Sequence, residues 1–298
     1  MKTDLALQVF DVGFSLGVDG PGQRMVIYTK GCNLSCPWCA APESVHRQSD
    51  VLFYPSRLSN SRQTGSLCPH GAVTLIRDTV QRDSQLCAQC CDYTCTTGGN
   101  PAFQLVGKAI PLNDLFDKAV RYRPFYGHDG GVTVGGGEPT CQLPELHELL
   151  KQLKRAHFHT VIETNGTNQR LPELYPEIDL LYIDCKHPDD ARCQEIVGVG
   201  NRTVTQNIRT RHNQGGAMVV RIPLVPGYND DISCLHGFGE LLSDIGPLHV
   251  EVLPFHKRGE TKWKALGLTA PTHSVTPPSH EVVENAKTVL SAYGLQVK

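Results

Sequence analysis

Cys32, Cys36 and Cys39 stand in the run Lys30-Gly-Cys-Asn-Leu-Ser-Cys-Pro-Trp-Cys39, and no further cysteine follows before Cys68. Thiolates in a tight group hold soft metals, and iron–sulfur cubanes are ordinarily held by four of them. A C-x3-C-x2-C spacing supplies three, which leaves one iron open to an outside ligand. An open iron on a reducing cluster binds and breaks a molecule, whereas a fully ligated cluster only passes electrons. A structural zinc knuckle wants four ligands in paired C-x2-C units, and only Cys36 and Cys39 have that form. A disulfide framework belongs to short secreted chains rather than to one of 298 residues. The open cluster is therefore the expected chemistry of this loop.

A second cysteine group is looser. Cys68 precedes a proline, and Cys87-Ala-Gln-Cys90-Cys91-Asp-Tyr-Thr-Cys95 follows it. Both pieces resemble a bacterial ferredoxin, where the cysteine before proline ligates a cluster whose other ligands come from a different run. Cys68, Cys87, Cys90 or Cys91, and Cys95 are expected to complete one four-thiolate cluster, a second 4Fe-4S centre. Zinc is the alternative metal for this set.

Elements must carry these loops. Short apolar runs at Met25–Tyr28, Val132–Val134, Thr160–Ile162, Leu180–Ile183, Met218–Ile222 and Val250–Leu253 read as strands. Between and after them lie helical patterns at 143–156, where leucines 146, 149, 150 and 153 recur at helical spacing, and at 190–197, 204–213, 232–243 and 280–293. A short helix is also expected between the third and fourth strands. Strands alternating with helices imply βα units on a parallel sheet, six of them here. Residues 41–108, rich in Ser, Arg, Gln, Gly and Cys, break this rhythm and read as a Cys-rich insert between the first two units; residues 1–40 and 109–298 form the core.

Each strand leads directly into residues able to do chemistry, as at the C-terminal rim of a β/α barrel. The cysteine loop follows the first, and Gly135-Gly136-Gly137-Glu138 the second, where glycines let backbone approach a ligand. Glu163-Thr-Asn-Gly166, Asp184-Cys-Lys186, Val225-Pro-Gly227 and Pro254-Phe-His256 follow the rest. Singly, Glu163, Asp184 and Lys186 read as solvated ion pairs and His256 as a surface histidine. Together on one rim, carboxylates, an ammonium group and an imidazole suit a small zwitterion bound at the open iron.

A formal charge of −2 gives no reason to expect a nucleic-acid or membrane-surface partner. The stretch Met-Lys-Thr-Asp-Leu-Ala-Leu lacks the apolar core of a signal peptide, and twelve cysteines suit metal ligation in a reducing cytoplasm. An anaerobic lifestyle is the matching expectation.

These residues resemble the radical S-adenosylmethionine superfamily, and more narrowly the glycyl-radical enzyme activating enzymes of the pyruvate formate-lyase type with ferredoxin-like inserts. The resemblance rests on Asp19-Gly-Pro-Gly-Gln-Arg24, the cysteine loop, Gly130–Pro139, Ile162-Glu-Thr-Asn-Gly166, Asp184-Cys-Lys186, Arg221–Gly227, Leu253-Pro-Phe-His256 and Lys262-Trp-Lys-Ala-Leu-Gly267, nearly the whole chain. It implies an α/β fold, a partial (β/α)6 TIM-like barrel open on one side. It implies a 4Fe-4S cluster on Cys32, Cys36 and Cys39 whose fourth iron is chelated by S-adenosylmethionine. Trp38, Cys39 and Ala40 would lie near adenine, and Gly136, Gly137 and Glu138 near the methionyl amine. Asp184 and Lys186 would meet the methionyl end, Glu163 and Asp184 a monovalent cation, and His256 the ribose or carboxylate. Gly135 stands where the family usually has serine, and Glu163 where some members have aspartate. The implied reaction is reductive cleavage of S-adenosylmethionine to a 5′-deoxyadenosyl radical that takes hydrogen from a glycine Cα of a partner enzyme, with flavodoxin or ferredoxin as electron donor. The alternatives are a radical enzyme acting directly on a small molecule or peptide, and a non-enzymatic electron carrier.

Overall fold

The apolar runs become strands in the computed structural model, which describes residues 5–58, 65–66, 68–76, 79–90, 93–97 and 101–298. The central strands are β1 (Ala6–Leu16), β2 (Gln23–Thr29), β3 (Lys108–Pro111), β4 (Gly131–Gly136), β5 (His159–Thr164), β6 (Leu180–Asp184), β7 (Met218–Leu224), β8 (His249–Pro254) and β9 (Gln296–Val297). They form one sheet in the order β9-β8-β7-β6-β5-β4-β2-β1-β3. From β2 to β9 every pairing is parallel. The six strands read from the sequence are β2 and β4 to β8, so their loops share one rim. β1 is a finding of the structure: it pairs antiparallel with both β2 and β3 and extends the sheet at one edge. The two edge strands, β3 and β9, are not paired with each other among the described residues, so the sheet stays open.

The helices of the core are α1 (Leu112–Tyr122), α2 (Leu143–Arg155), α3 (Asp190–Val197), α4 (Arg202–Asn213), α5 (Ile232–Ser243), α6 (Glu260–Ala265) and α7 (His280–Ser291), of which α6 packs against the insert rather than on the sheet. On α2, Leu146, Leu149, Leu150 and Leu153 are fully buried, each stabilising the fold by about 1.5–3 kcal/mol. Pro144 sits in the first turn of that helix, where no intrahelical donor is lost, and Lys154 and Arg155 sit in the last, complementing its dipole. Asp189 and Asp231 cap α3 and α5 by accepting from Arg192 N and Cys234 N. The short helix expected before β6 is a 3-10 stretch, Leu171–Glu177, because Pro176 interrupts an α-helical pattern.

The segment between β2 and β3 has its own small core of Val51, Phe53, Cys68, Ala72, Val73, Ala102 and Phe103. Strand Asp50–Phe53 pairs antiparallel with Phe103–Val106, and a three-stranded sheet of 65–66, 73–76 and 79–82 lies beside them. The expected boundaries shift slightly. Lys108 already belongs to the main sheet, and residues 44 and 45 hydrogen-bond the cysteine loop, with Gly31 N donating to Ser44 O and Cys32 N to Val45 O. Cys91 lies outside the described residues.

Candidate active site

The cysteine loop leaves the end of β2 and is fixed from several directions. Besides the two bonds to residues 44 and 45, Ser35 N donates to Val197 O at the end of α3. Asn165 Nδ2 donates to Asn33 Oδ1 at 3.0 Å and Asn33 Nδ2 to Thr167 Oγ1 at 2.8 Å, tying the loop to the end of β5. On the opposite side, Trp263 of α6 donates its indole N–H to Cys39 O at 3.0 Å.

Gly136 and Gly137 explain how the next loop comes so close. Gly136 has φ +110°, and a Cβ there would lie 2.4 Å from Thr29 N; one on Gly137 would lie 2.5 Å from Gly31 O. Gly137 N donates to Thr29 O and Glu138 N to Gly31 O, both at 2.8 Å. The sequence reading assigned these glycines to ligand approach; in the structure their absent side chains admit the backbone that carries the cysteines.

Glu138 calls for a correction. Its carboxylate is buried rather than presented to a ligand, and it accepts from Thr140 N, Thr140 Oγ1, Thr164 Oγ1 and Asn165 N at 2.5–2.9 Å. Burial pushes its pKa up, and these four donors oppose the shift. It joins the β4 loop to the β5 loop. Glu138→Ala is expected to lower stability by about 3 kcal/mol or more, since each buried donor left without a partner costs about 1–3 kcal/mol. The midpoint of urea unfolding checks this.

The loops enclose a cavity of about 330 Å³. Its walls include Cys32, Cys36, Trp38, Cys39 and Ala40 from the cysteine loop, and Gly136, Gly137, Glu163, Asp184, Lys186 and His256 from the other strand ends. Every candidate of the first cysteine group and of the rim except Glu138 meets there. Burial pushes the Cys32 thiol up to about 12 and Cys39 to about 11, and raises Cys36 as well, while Lys186 pulls all three down. Thiols this desolvated ionise when a cationic centre replaces their protons. The donor set thus fits a cluster with one iron left to another ligand.

Asp184 and Lys186 form an ion pair at 2.9 Å. Burial opposes the Lys186 charge, yet Asp184 and Cys36 raise its pKa overall. Glu163 is paired with Arg221 at 2.6 Å, and Arg221 also reaches Glu251 at 2.8 Å and stacks 3.6 Å above the Tyr182 ring centre. Both carboxylates expected at a monovalent cation therefore already hold cationic partners. Gly135 and Glu163, the two departures from the family pattern, face each other: a Cβ on Gly135 would sit 3.0 Å from Glu163 Oε2. The longer acid fills the space the glycine leaves.

Several residues that brace the site were given no role by the sequence alone. Arg24 is fully buried and donates to Thr133 Oγ1 and to the carbonyls of Pro21, Asp129, Val132 and His159. It holds the Gly17–Gly22 loop against the inner face of the sheet, where Thr133 Oγ1 donates to Asp19 O and Arg221 Nη2 to Val18 O. Tyr228 packs edge-on against Trp38 at 5.3 Å. For Arg221 a signal existed: it interrupts an otherwise apolar strand, where an unpaired charge is prohibitive. For Tyr228 there was none, since its partner lies far away in sequence.

In the insert, Cys68, Cys87 and Cys95 share one small core, and burial pushes the Cys95 thiol up to about 11, with Cys68, Cys87 and Cys90 adding to the rise. Among the described residues no group of three or more His, Cys, Asp or Glu side chains is already gathered as a metal site.

Comparison with known proteins matches this geometry. Residues 83–232 match the Radical SAM superfamily and residues 18–65 a 4Fe-4S single cluster domain. The chain is 30% identical to the indoleacetate decarboxylase activating enzyme of Tractidigestivibacter scatoligenes over 98% of this chain and 96% of that protein. It is 33% identical to the 4-hydroxyphenylacetate decarboxylase activating enzyme of Clostridioides difficile strain CD196, over 87% of this chain and 85% of that one. A radical SAM methyltransferase from Sphaerobacter thermophilus shares the fold, with a TM-score of 0.50 at 16% identity over 98% of this chain and 76% of that chain. No described helix is long and apolar enough to cross a membrane. A cavity walled by three thiols, a chain-length likeness to two such enzymes and the superfamily match together make this chain a member of the radical S-adenosylmethionine superfamily, among its glycyl-radical enzyme activating enzymes.

Proposed function

We infer that Cys32, Cys36 and Cys39 hold the radical-forming cluster and that the cavity beside them takes S-adenosylmethionine. The observation that carries this reading is the meeting of three desolvated thiols and the Asp184–Lys186 pair on one cavity wall. When bound, the cluster supplies the electron that cleaves the cofactor to methionine and a 5′-deoxyadenosyl radical, the species that takes hydrogen from the partner's glycine. The protein supplies placement and exclusion of water. Lys186 offers an ammonium group to the methionyl carboxylate, and Asp184 a carboxylate to the methionyl amine. Trp38, braced by Tyr228, and Ala40 form the adenine wall, with His256 at the exposed mouth for the ribose. The Arg221 network, in which one guanidinium bridges two carboxylates, holds the inner wall in place. Glu163 and Glu251 share the single charge of Arg221, so one net negative charge is left there for the monovalent cation that the resemblance implies.

The insert is a separate unit, about residues 46–107, and Cys68, Cys87 and Cys95 of its core, with Cys90, are the thiols that would hold a second 4Fe-4S cluster. Flavodoxin or ferredoxin is the donor class for the required electron. The partner's glycine loop would enter by the open side of the sheet. Both relatives above are named for decarboxylases of arylacetates, so glycyl-radical decarboxylases of that class are the first partners to test. Reduced protein, S-adenosylmethionine and such a decarboxylase are expected to give a doublet glycyl signal by electron paramagnetic resonance. Formation of 5′-deoxyadenosine with a small substrate, and no signal on any glycyl-radical enzyme, would favour direct action on that substrate instead.

A further inference from the structure

Arg82, the last residue of the strand Thr79–Arg82, reaches three things at once. Its Nη2 donates to Val51 O at 2.7 Å and to Cys87 Sγ at 3.2 Å, and its Nη1 donates to Ala265 O of α6. Its Nε is buried without an acceptor among the described residues. The same short helix carries Trp263, bonded to Cys39 O, and Lys262, paired with Glu43 at 2.5 Å. Leu52 and Val106 of the insert pack on Ala265 and Leu266. One guanidinium therefore touches a thiol of the insert and the helix that braces the radical-forming loop.

We propose that Arg82 sets the reduction potential of the insert's cluster, an inference that rests on the reading of Cys87 as one of its ligands. One-electron reduction adds negative charge to a cluster and its thiolates. A cationic N–H donor at a ligating sulfur favours that added charge and raises the potential. The guanidinium is half-buried against backbone carbonyls, with Nε out of solvent, which weakens its screening. The bond to Ala265 O fixes the side chain in this position, so the donor is held at the sulfur by the contact between insert and core.

The test uses the full-length chain, reconstituted anaerobically with iron and sulfide. In a Cys32→Ala/Cys36→Ala/Cys39→Ala background only the insert can hold a cluster, and its iron content reports on that reading independently. If this background protein binds no iron–sulfur cluster, the ligand assignment fails before Arg82 is in question. With the cluster present, a dithionite titration followed by electron paramagnetic resonance gives its midpoint potential. Adding Arg82→Gln is expected to lower the midpoint by an amount equal to about a tenfold change in the reduced-to-oxidised ratio, ~59 mV for one electron. Arg82→Lys, which keeps the charge and loses the fork, should shift it less. An unchanged midpoint in Arg82→Gln overturns the proposal, because a purely structural arginine would leave the potential alone. If Arg82→Gln fails to hold iron, the lysine variant decides by the same criterion, and loss of iron from both overturns the proposal in favour of a folding role.

Discussion

Cys32→Ala is expected to abolish 5′-deoxyadenosine formation from S-adenosylmethionine under reductant. The loss should exceed the about 10–100-fold typical of removing an outer partner of a metal ligand, because a ligand itself is gone. Cys141, an exposed thiol hydrogen-bonded to the backbone of Asn33 in the loop, is a neighbouring thiol, so Cys32→Ala/Cys141→Ala is the companion variant. Cys185 and Cys193 are buried, and Cys193 packs with Leu34 and Val197 behind the loop. Iron content should fall, while the insert's iron is retained. Chromatography of quenched reactions measures the nucleoside product. Undiminished 5′-deoxyadenosine in this variant would mean that the cluster is held elsewhere.

Gly136→Ala should be strongly destabilising. Its φ of +110° is strained for any L side chain, and the new Cβ would lie 2.4 Å from Thr29 N and 2.6 Å from Thr29 O. Neither atom is the end of a flexible side chain; both belong to the β2 backbone. Strain of about 1–3 kcal/mol and overpacking of about 1–3 kcal/mol add here, at a cost of roughly 2–6 kcal/mol. Each kcal/mol moves the melting temperature by about 2–4 °C in a chain somewhat smaller than this. Gly215→Ala is the control: φ is also positive, +67°, but nothing lies within 4 Å of the added Cβ. Equal melting temperatures for the two variants would refute the account of the glycine run as a backbone contact.

The two experiments probe different levels. Cys32→Ala probes the proposed chemistry and should leave the fold standing. Gly136 acts on the seam between β2 and β4, which positions the cysteines relative to Glu163 and Lys186.

The chain's own residues announced the metal and the architecture. A C-x3-C-x2-C loop after an apolar run needs no tertiary information, since three thiols within eight positions are local. Likewise, six alternations of apolar strand and amphipathic helix force a parallel sheet whose loops share a rim, and so brought Glu163, Asp184, Lys186 and His256 to one cavity. β1 was not legible, because its side chains are mostly half-exposed and lack strict alternation; its place is set by pairing with β2 and β3. Which way a strand-end residue faces was decided only by the fold. Glu138 follows the glycines in the same motif yet turns inward, because four donors from two loops converge on it. Arg221 became the counterion of Glu163 through a contact 58 positions away, and Arg82 met Cys87 and Ala265 only when the insert folded back on α6. Sequence spacing encodes what lies within one turn or one loop; long-range partners of a buried charge are chosen by desolvation, which acts only once the chain has closed around it.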